Sequence, residues 1–296
     1  MPLDRILSFI MYYGGLLYLC LSPWHDITAQ YKFPYQLNNP HQSYTLPEEL
    51  LEISGIVALN TEHIACVQDE WGVVFIYNLS KQSVTATHRF DSIGDFEGIA
   101  YDGSTLFVLR SDGRITIWRQ FDLNHPSSDI THHTVPLQTV NNEGLCYDFV
   151  SKQLFIGSKS RTISSEKKEE RLIYALDPNT LPLKAKITFR LSAATIGKAA
   201  SVLGIEDIYP YSDKPFRFRT SAIGIHPISK DIYLLSASDH LLAVLDRNGV
   251  LRYAEKLDPL RFPQAEGITF LPDGRMLISN EGKNGGNPTI LVFNSQ

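Results

Sequence analysis

The chain is poor in the residues that carry the commonest kinds of chemistry. It has three cysteines, and no Cys/His spacing of a metal-binding type. Cys66 and Cys146 both lie in apolar strand-like runs (HIACV and GLCYD), where buried free thiols are expected. There is no Gly-x-Ser-x-Gly elbow, no His-Glu-x-x-His and no phosphate-cradling glycine loop, so the familiar nucleophile, zinc-hydrolase and nucleotide signatures are missing. Positive charge is not concentrated: the net charge is −5, and Lys167 and Lys168 sit among Glu166, Glu169 and Glu170. With no basic stripe, nucleic acid is not an expected partner.

Aromatics and β-branched residues are plentiful, with 14 Tyr and 15 Phe, which suits strands better than helices. The one long apolar run is at the start. Arg5 precedes Ile6 to Leu21, roughly 16 residues, short for a spanning helix and right for the core of a secretory leader. Residues 1–29 are therefore expected to be a signal peptide or N-terminal membrane anchor, with Ala29 before the cleavage point. Cys20 raises a lipoprotein alternative, although Leu19 is bulky for a lipobox. The working domain is expected over 30–296, in the cell envelope: periplasmic, outer-membrane-associated or secreted, with membrane association through the N-terminus.

A phrase recurs inside that domain: Ser or Glu, then Gly or Ala, then Ile or Leu. It occurs at Ser54-Gly55-Ile56, Glu97-Gly98-Ile99, Glu143-Gly144-Leu145, Ser221-Ala222-Ile223 and Glu266-Gly267-Ile268. The intervals are 43, 46, 78 and 45 residues, and three of the four match one four-stranded propeller blade. Each phrase is followed by a turn such as Asp102-Gly103 or Pro272-Asp273-Gly274, and then by further strands in the same register. The expected fold is all-β: a β-propeller of five four-stranded blades. Its last blade ends at Phe293 without a fourth strand, so a strand around Gln42 to Leu46 is expected to close the ring. A sixth blade within 190–219 is the alternative. The long interval holds two insertions, 160–171, which is polar, and 190–219, whose stretch 191–208 is helix-compatible and expected over one end of the propeller.

The first strand of a blade lines the central tunnel, so the phrase places Glu97, Glu143 and Glu266, interleaved with Ser54 and Ser221, around its mouth. Small residues after them let backbones converge at the axis. Facing carboxylates repel unless protonated, paired or bound to metal. The loops on the same face bring Asp69, Glu70, Ser111, Asp112, Lys159, Arg161, Ser238, Asp239, Asn280 and Glu281, with Arg110 and Lys159 as candidate cations. The residues expected to bind a ligand are Ser54, Asp69, Glu70, Arg110, Lys159, Ser221, Ser238 and Glu281. A bound Ca²⁺ held by Glu97, Glu143 and Glu266 is the alternative to pairing, and blade-junction capping by the Ser/Glu position is the structural alternative to both. Asp102, Asp148 and Asp273 are expected to form turns at the opposite end. His226 is expected on the surface, as are His132 and His133 on an edge strand. His240, beside Asp239, is the histidine expected at the acidic face.

At these phrases the chain resembles the SdiA-regulated propeller family, over roughly residues 45–296. The matching stretches are Leu51-Glu52-Ile53-Ser54-Gly55-Ile56, Asp95-Phe96-Glu97-Gly98-Ile99, Asn142-Glu143-Gly144-Leu145 and Pro263-Gln264-Ala265-Glu266-Gly267-Ile268. Ser221-Ala222 stands where Ser-Gly would be typical. The resemblance implies an exported, membrane-associated propeller, and the function expected is a binding module for a small molecule or an envelope protein. It is more distantly similar to calcium-dependent lactonase and gluconolactonase propellers. That likeness implies Glu97, Glu143 and Glu266 as metal ligands and, as the alternative function, a Ca²⁺-dependent hydrolase of esters, lactones or phosphoesters. The accompanying pattern of central Asn ligands is missing here.

Overall fold

A short strand β1 (Gln42–Thr45) opens the order of elements in a computed structural model that describes residues 31–160, 162–163, 170–205, 208, 217–282 and 285–296. Then follow β2 (Ile53–Ala58), β3 (His63–Gln68), β4 (Trp71–Asn78) and β5 (Ser83–Ile93) in one sheet. The second sheet holds β6 (Phe96–Tyr101), β7 (Leu106–Arg110), β8 (Arg114–Trp118) and β9 (Ile130–Thr134). The third holds β10 (Asn142–Asp148), β11 (Gln153–Ser158), β12 (Arg171–Leu176) and β13 (Lys186–Leu191). Helix α1 (Ala193–Val202) precedes the fourth sheet of β14 (Ala222–Ile225), β15 (Ile232–Ser236), β16 (Leu241–Leu245) and β17 (Leu251–Lys256). The last sheet has the order β1, β20 (Thr289–Phe293), β19 (Met276–Asn280), β18 (Ala265–Phe270). The described strands thus form a five-bladed β-propeller of four-stranded antiparallel sheets.

Closure is the expected one. Tyr44 of β1 pairs with Ile290 of β20, and nearby the His41 amide donates to the Val292 carbonyl at 2.8 Å. The end sheet therefore gains its fourth strand from the beginning of the domain and presents no open edge there. The chain divides into Met1–Phe33 and Pro34–Gln296, the second unit being the propeller. The leader expected over 1–29 lies outside the described residues. No helix among those described is long and apolar enough to cross a membrane.

Burial explains the strand patterns. Middle strands such as β15 and β16 are buried along their whole length, because they are covered by a neighbouring blade on each face. The outer strands β5 and β13 alternate buried or half-buried with exposed positions. Turns carry the expected Asp chemistry: Asp102 Oδ1 accepts the amides of Ser104 at 2.9 Å and Thr105 at 2.7 Å. Helix α1 starts on a capping box in which the Ser192 hydroxyl accepts the Thr195 amide. Its Ile196 and Ala200 join the core cluster that holds Leu251 and Ala254 of β17. The helix thus wedges against an outer strand at the junction of the third and fourth blades, where an apolar face can be buried, rather than over an end of the propeller.

Candidate functional site

The recurrent Ser/Glu sits at a β-bulge in four of the five blades; Ser221 instead immediately precedes β14. In β2 the partners of Gln68 and Val67 are Ile53 and Gly55, so Ser54 is the extra residue. Glu97 is skipped in the same way between Phe96 and Gly98, and Glu266 between Ala265 and Gly267. The irregularity in β10 spans Glu143 and Gly144. A bulge residue leaves the ladder and bends its strand, which turns the side chain toward the mouth instead of into an inter-blade layer. The small residue that follows is required by crowding. A Cβ on Gly98 would lie 2.8 Å from the Leu145 amide nitrogen, and one on Gly144, at φ +80°, 3.0 Å from the Ala222 Cα.

The two serines and the three glutamates do different work. Ser54 Oγ donates to the Phe96 carbonyl of the next blade at 2.6 Å. Ser221 Oγ donates to the Ala265 carbonyl at 2.7 Å and accepts the Ala237 amide at 3.1 Å. Both serines are buried, and each holds the residue that immediately precedes a glutamate, Glu97 or Glu266. They position the acidic ring from below and are committed to backbone.

Lys159, just past β11, supplies the positive charge. Its Nζ lies 2.6 Å from Glu143 Oε1, and the Glu143 side chain is only 1% exposed. The approach is at ion-pair distance but off the direction of a hydrogen bond, so neither Glu143 oxygen receives a well-aligned donor. Burial opposes the ammonium, yet Glu266, Glu143 and Glu97 together raise its pKa, so Lys159 stays charged. Burial raises the Glu143 pKa against the pull of Lys159. Glu97 is pushed up to about 10 by burial and by Glu143, with Asp95 and Glu266 adding and Lys159 opposing. At neutral pH Glu97 is therefore a neutral acid that can donate. Gln264 Nε2 donates to Glu266 Oε1 at 2.7 Å.

The remaining expected residues divide by location. Asp69 joins Glu52, Glu70 and Glu281 in a second acidic group at the junction of the first and last blades, and burial, then Glu52 and Glu281, push it up to about 7. Arg110 is committed to Asp112 through two contacts of 3.0 and 2.6 Å. Ser238 flanks Asp239, which accepts Ser236 Oγ at 2.6 Å and the Arg219 amide at 3.1 Å. That side of the mouth is self-satisfied. His240 contacts the Phe262 carbonyl at 3.1 Å through Nδ1. Arg161 lies outside the described residues. Among the described residues the donor set combines the Lys159 ammonium with the Glu97, Glu143 and Glu266 carboxylates, and no group of three or more His, Cys, Asp or Glu among them is arranged to hold a metal ion.

Below the ring the tunnel is shut. Ile56, Ile99, Leu145, Ile223 and Ile268 converge around a void of about 10 Å³, room for a single water at most. The mouth is a shallow site, not the entrance to a channel. Sequence reasoning missed two residues at the far end. His226, expected on the surface, is buried: Nδ1 accepts the Ser229 amide at 3.0 Å, and Phe270 packs edge-on at 5.1 Å. Tyr35, from outside the repeats, covers it at 6.1 Å, and burial lowers its pKa. Asp148 forms its turn as expected, but it is fully buried and also pairs with Arg247 of the next blade. The cysteines Cys66 and Cys146 are free thiols, as expected. His132 is exposed and His133 half-buried on β9.

Solved structures with a similar fold include two enzymes. The glutaminyl cyclase of Myxococcus xanthus is 15% identical over 86% of this chain and 95% of its own, with a TM-score of 0.55. The PQQ-bound aldose sugar dehydrogenase of Streptomyces coelicolor is 10% identical over 87% of this chain and 98% of its own, with a TM-score of 0.53. At such identities the likeness carries the propeller fold alone. No protein-family model matches the chain, and no curated protein matches it either.

Proposed function

We propose that this chain is an exported or membrane-tethered propeller of the SdiA-regulated type that binds a small ligand or envelope partner through its acidic mouth, by way of a basic amine or guanidinium. One observation carries the reading: among the described residues Lys159 stands at ion-pair distance from Glu143, inside a buried cluster that also holds Glu97. Burial and the neighbouring Glu143 favour the protonated form of Glu97. A cationic group arriving beside Glu97 replaces that proton, gaining an ion pair whose carboxylate is already desolvated and aimed. The apolar run after Arg5 supports export or tethering.

Calorimetry at pH 8 with a series of primary amines and guanidinium compounds, in two buffers of different ionisation enthalpy, tests this. Binding should release up to one proton, and Glu97→Gln should abolish the release. Binding without proton release, or no binding by any cation at millimolar concentration, overturns the reading. Added Ca²⁺ serves as the control for the metal alternative: with Lys159 already between the carboxylates, millimolar calcium should leave the Tm unchanged, and a rise would restore a metal site.

A further inference from the structure

The other end of the axis holds a cavity of about 330 Å³. Its floor is the same apolar plug that shuts the tunnel, including Ile56, Ile99, Leu145 and Ile268. Its walls add Tyr101, Tyr147, Ile225 and Phe270 from four different blades. It is therefore a blind apolar funnel, of a size typical for small-molecule sites. Its rim is not that of an idle surface. Phe149 and Val150, both lining residues, are 63% and 60% exposed, and the neighbouring turn leaves Ile228 67% exposed. Turns of this kind ordinarily carry polar residues, and clustered exposed apolar groups around a pocket mark a binding site.

Polar groups at the rim are few and of one useful kind. Asp148 lines the funnel but is neutralised by Arg247. Lys230 lines it too, half-buried, with Nζ donating to the Pro227 carbonyl. An ammonium with further protons to donate thus stands at the lip of a blind, largely apolar funnel. We propose that the funnel binds a carboxylate-headed single-chain apolar ligand, chain inward on the Ile/Leu plug and carboxylate at Lys230. The volume corresponds to about ten heavy atoms at the scale of a water's ~30 Å³ share, so the match is a medium-chain fatty acid. This site is separate from the acidic mouth, since the plug lies between them, and it stands or falls independently of the function proposed there.

The test uses the full chain, purified without detergent, titrated with hexanoate, octanoate and decanoate. Affinity should tighten about fourfold with each added methylene until the funnel is full. Lys230→Gln should weaken decanoate about tenfold and leave decanol unchanged. Val57→Trp, which fills the wall, should abolish binding of both while the Tm shows whether the fold survives. A diazirine-bearing decanoate supplies a readout free of mutations: it should label peptides containing Tyr101, Tyr147 or Phe270, and labelling confined to peptides containing Glu97 or Lys159 overturns the proposal. Loading from free solution identifies a free fatty acid as the source. Loading only from vesicles spiked with fatty acid identifies a membrane source. Binding to plain phospholipid vesicles with no decanoate uptake in either arm replaces the proposal with a membrane-facing rim. No binding up to the solubility of decanoate sinks it outright.

Discussion

The two ends of the propeller axis are built by the same inner strands, yet they differ in every chemical respect. At the entry end Ser54, Glu97 and Glu266 are bulged out of their ladders, and carboxylates gather around the Lys159 ammonium. At the exit end the strands run regularly into hairpin turns and present Tyr101, Tyr147, Ile225 and Phe270 around an apolar hollow. Between them five aliphatic side chains make a seal. The difference teaches that a propeller's two faces are chemically independent because the narrow axis leaves room for only one side chain per blade at each level. Whatever occupies that level isolates what lies above from what lies below. The polar end stores electrostatic cost, while the apolar end stores exposed surface, and each is relieved by a different class of ligand.

The largest way to break the contrast is Lys159→Met. It leaves Glu143 buried without its cation and should cost about 3–5 kcal/mol in denaturant unfolding. Because the loss is electrostatic, Glu143→Gln in the same chain should recover most of it, and decanoate binding at the far end should not change. Next comes Leu145→Ala, which opens the seal. A cavity in an otherwise full layer should cost about 2–4 kcal/mol. Unlike the mouth variants, its cost should not vary between pH 5 and pH 9, which a pair of melts at those values checks.

Glu97→Gln sharpens the comparison in the opposite direction. The folded-state pKa of Glu97 is raised to about 10 from an ordinary value near 4.5. Its native environment therefore favours the protonated form, and stability falls as pH rises from about 4.5 through 10, because only the unfolded chain releases the proton in that window. The neutral isostere removes this loss. It should be close to wild type at pH 4.5 and more stable at pH 8, by on the order of 1–3 kcal/mol after allowing for partial solvent screening. The smallest effect belongs to the rim. Phe149→Ser removes an exposed side chain and should change stability by less than about 0.5 kcal/mol, while weakening decanoate in a direct titration.

Much of this architecture was legible in the residues. The phrase period, the Asp-led turns and the missing fourth strand at Phe293 pointed to five closed blades, and Lys159 was already one of two candidate cations. Arg110 could not be told apart from it, since its pairing with Asp112 depends on how the β7–β8 turn folds back. The serines looked interchangeable with the glutamates, but only the structure shows that they donate to the next blade's carbonyl. His226 read as a surface residue because the ring that buries it, Tyr35, comes from a segment outside the repeats.

The sequence by itself determined what is local: strand alternation, turn chemistry and a repeat whose length equals one blade, each dictated by backbone geometry within a few dozen residues. Ring closure decided the rest. Closure brings Asp148 against Arg247, 99 positions away, converges five inner strands until the axis seals, and turns identical phrases toward a common centre. Charges that are merely recurrent along the chain become mutually desolvated there, and hairpin residues that are merely apolar become the walls of a cavity. Neither burial nor proximity at the axis exists until all five blades are in place.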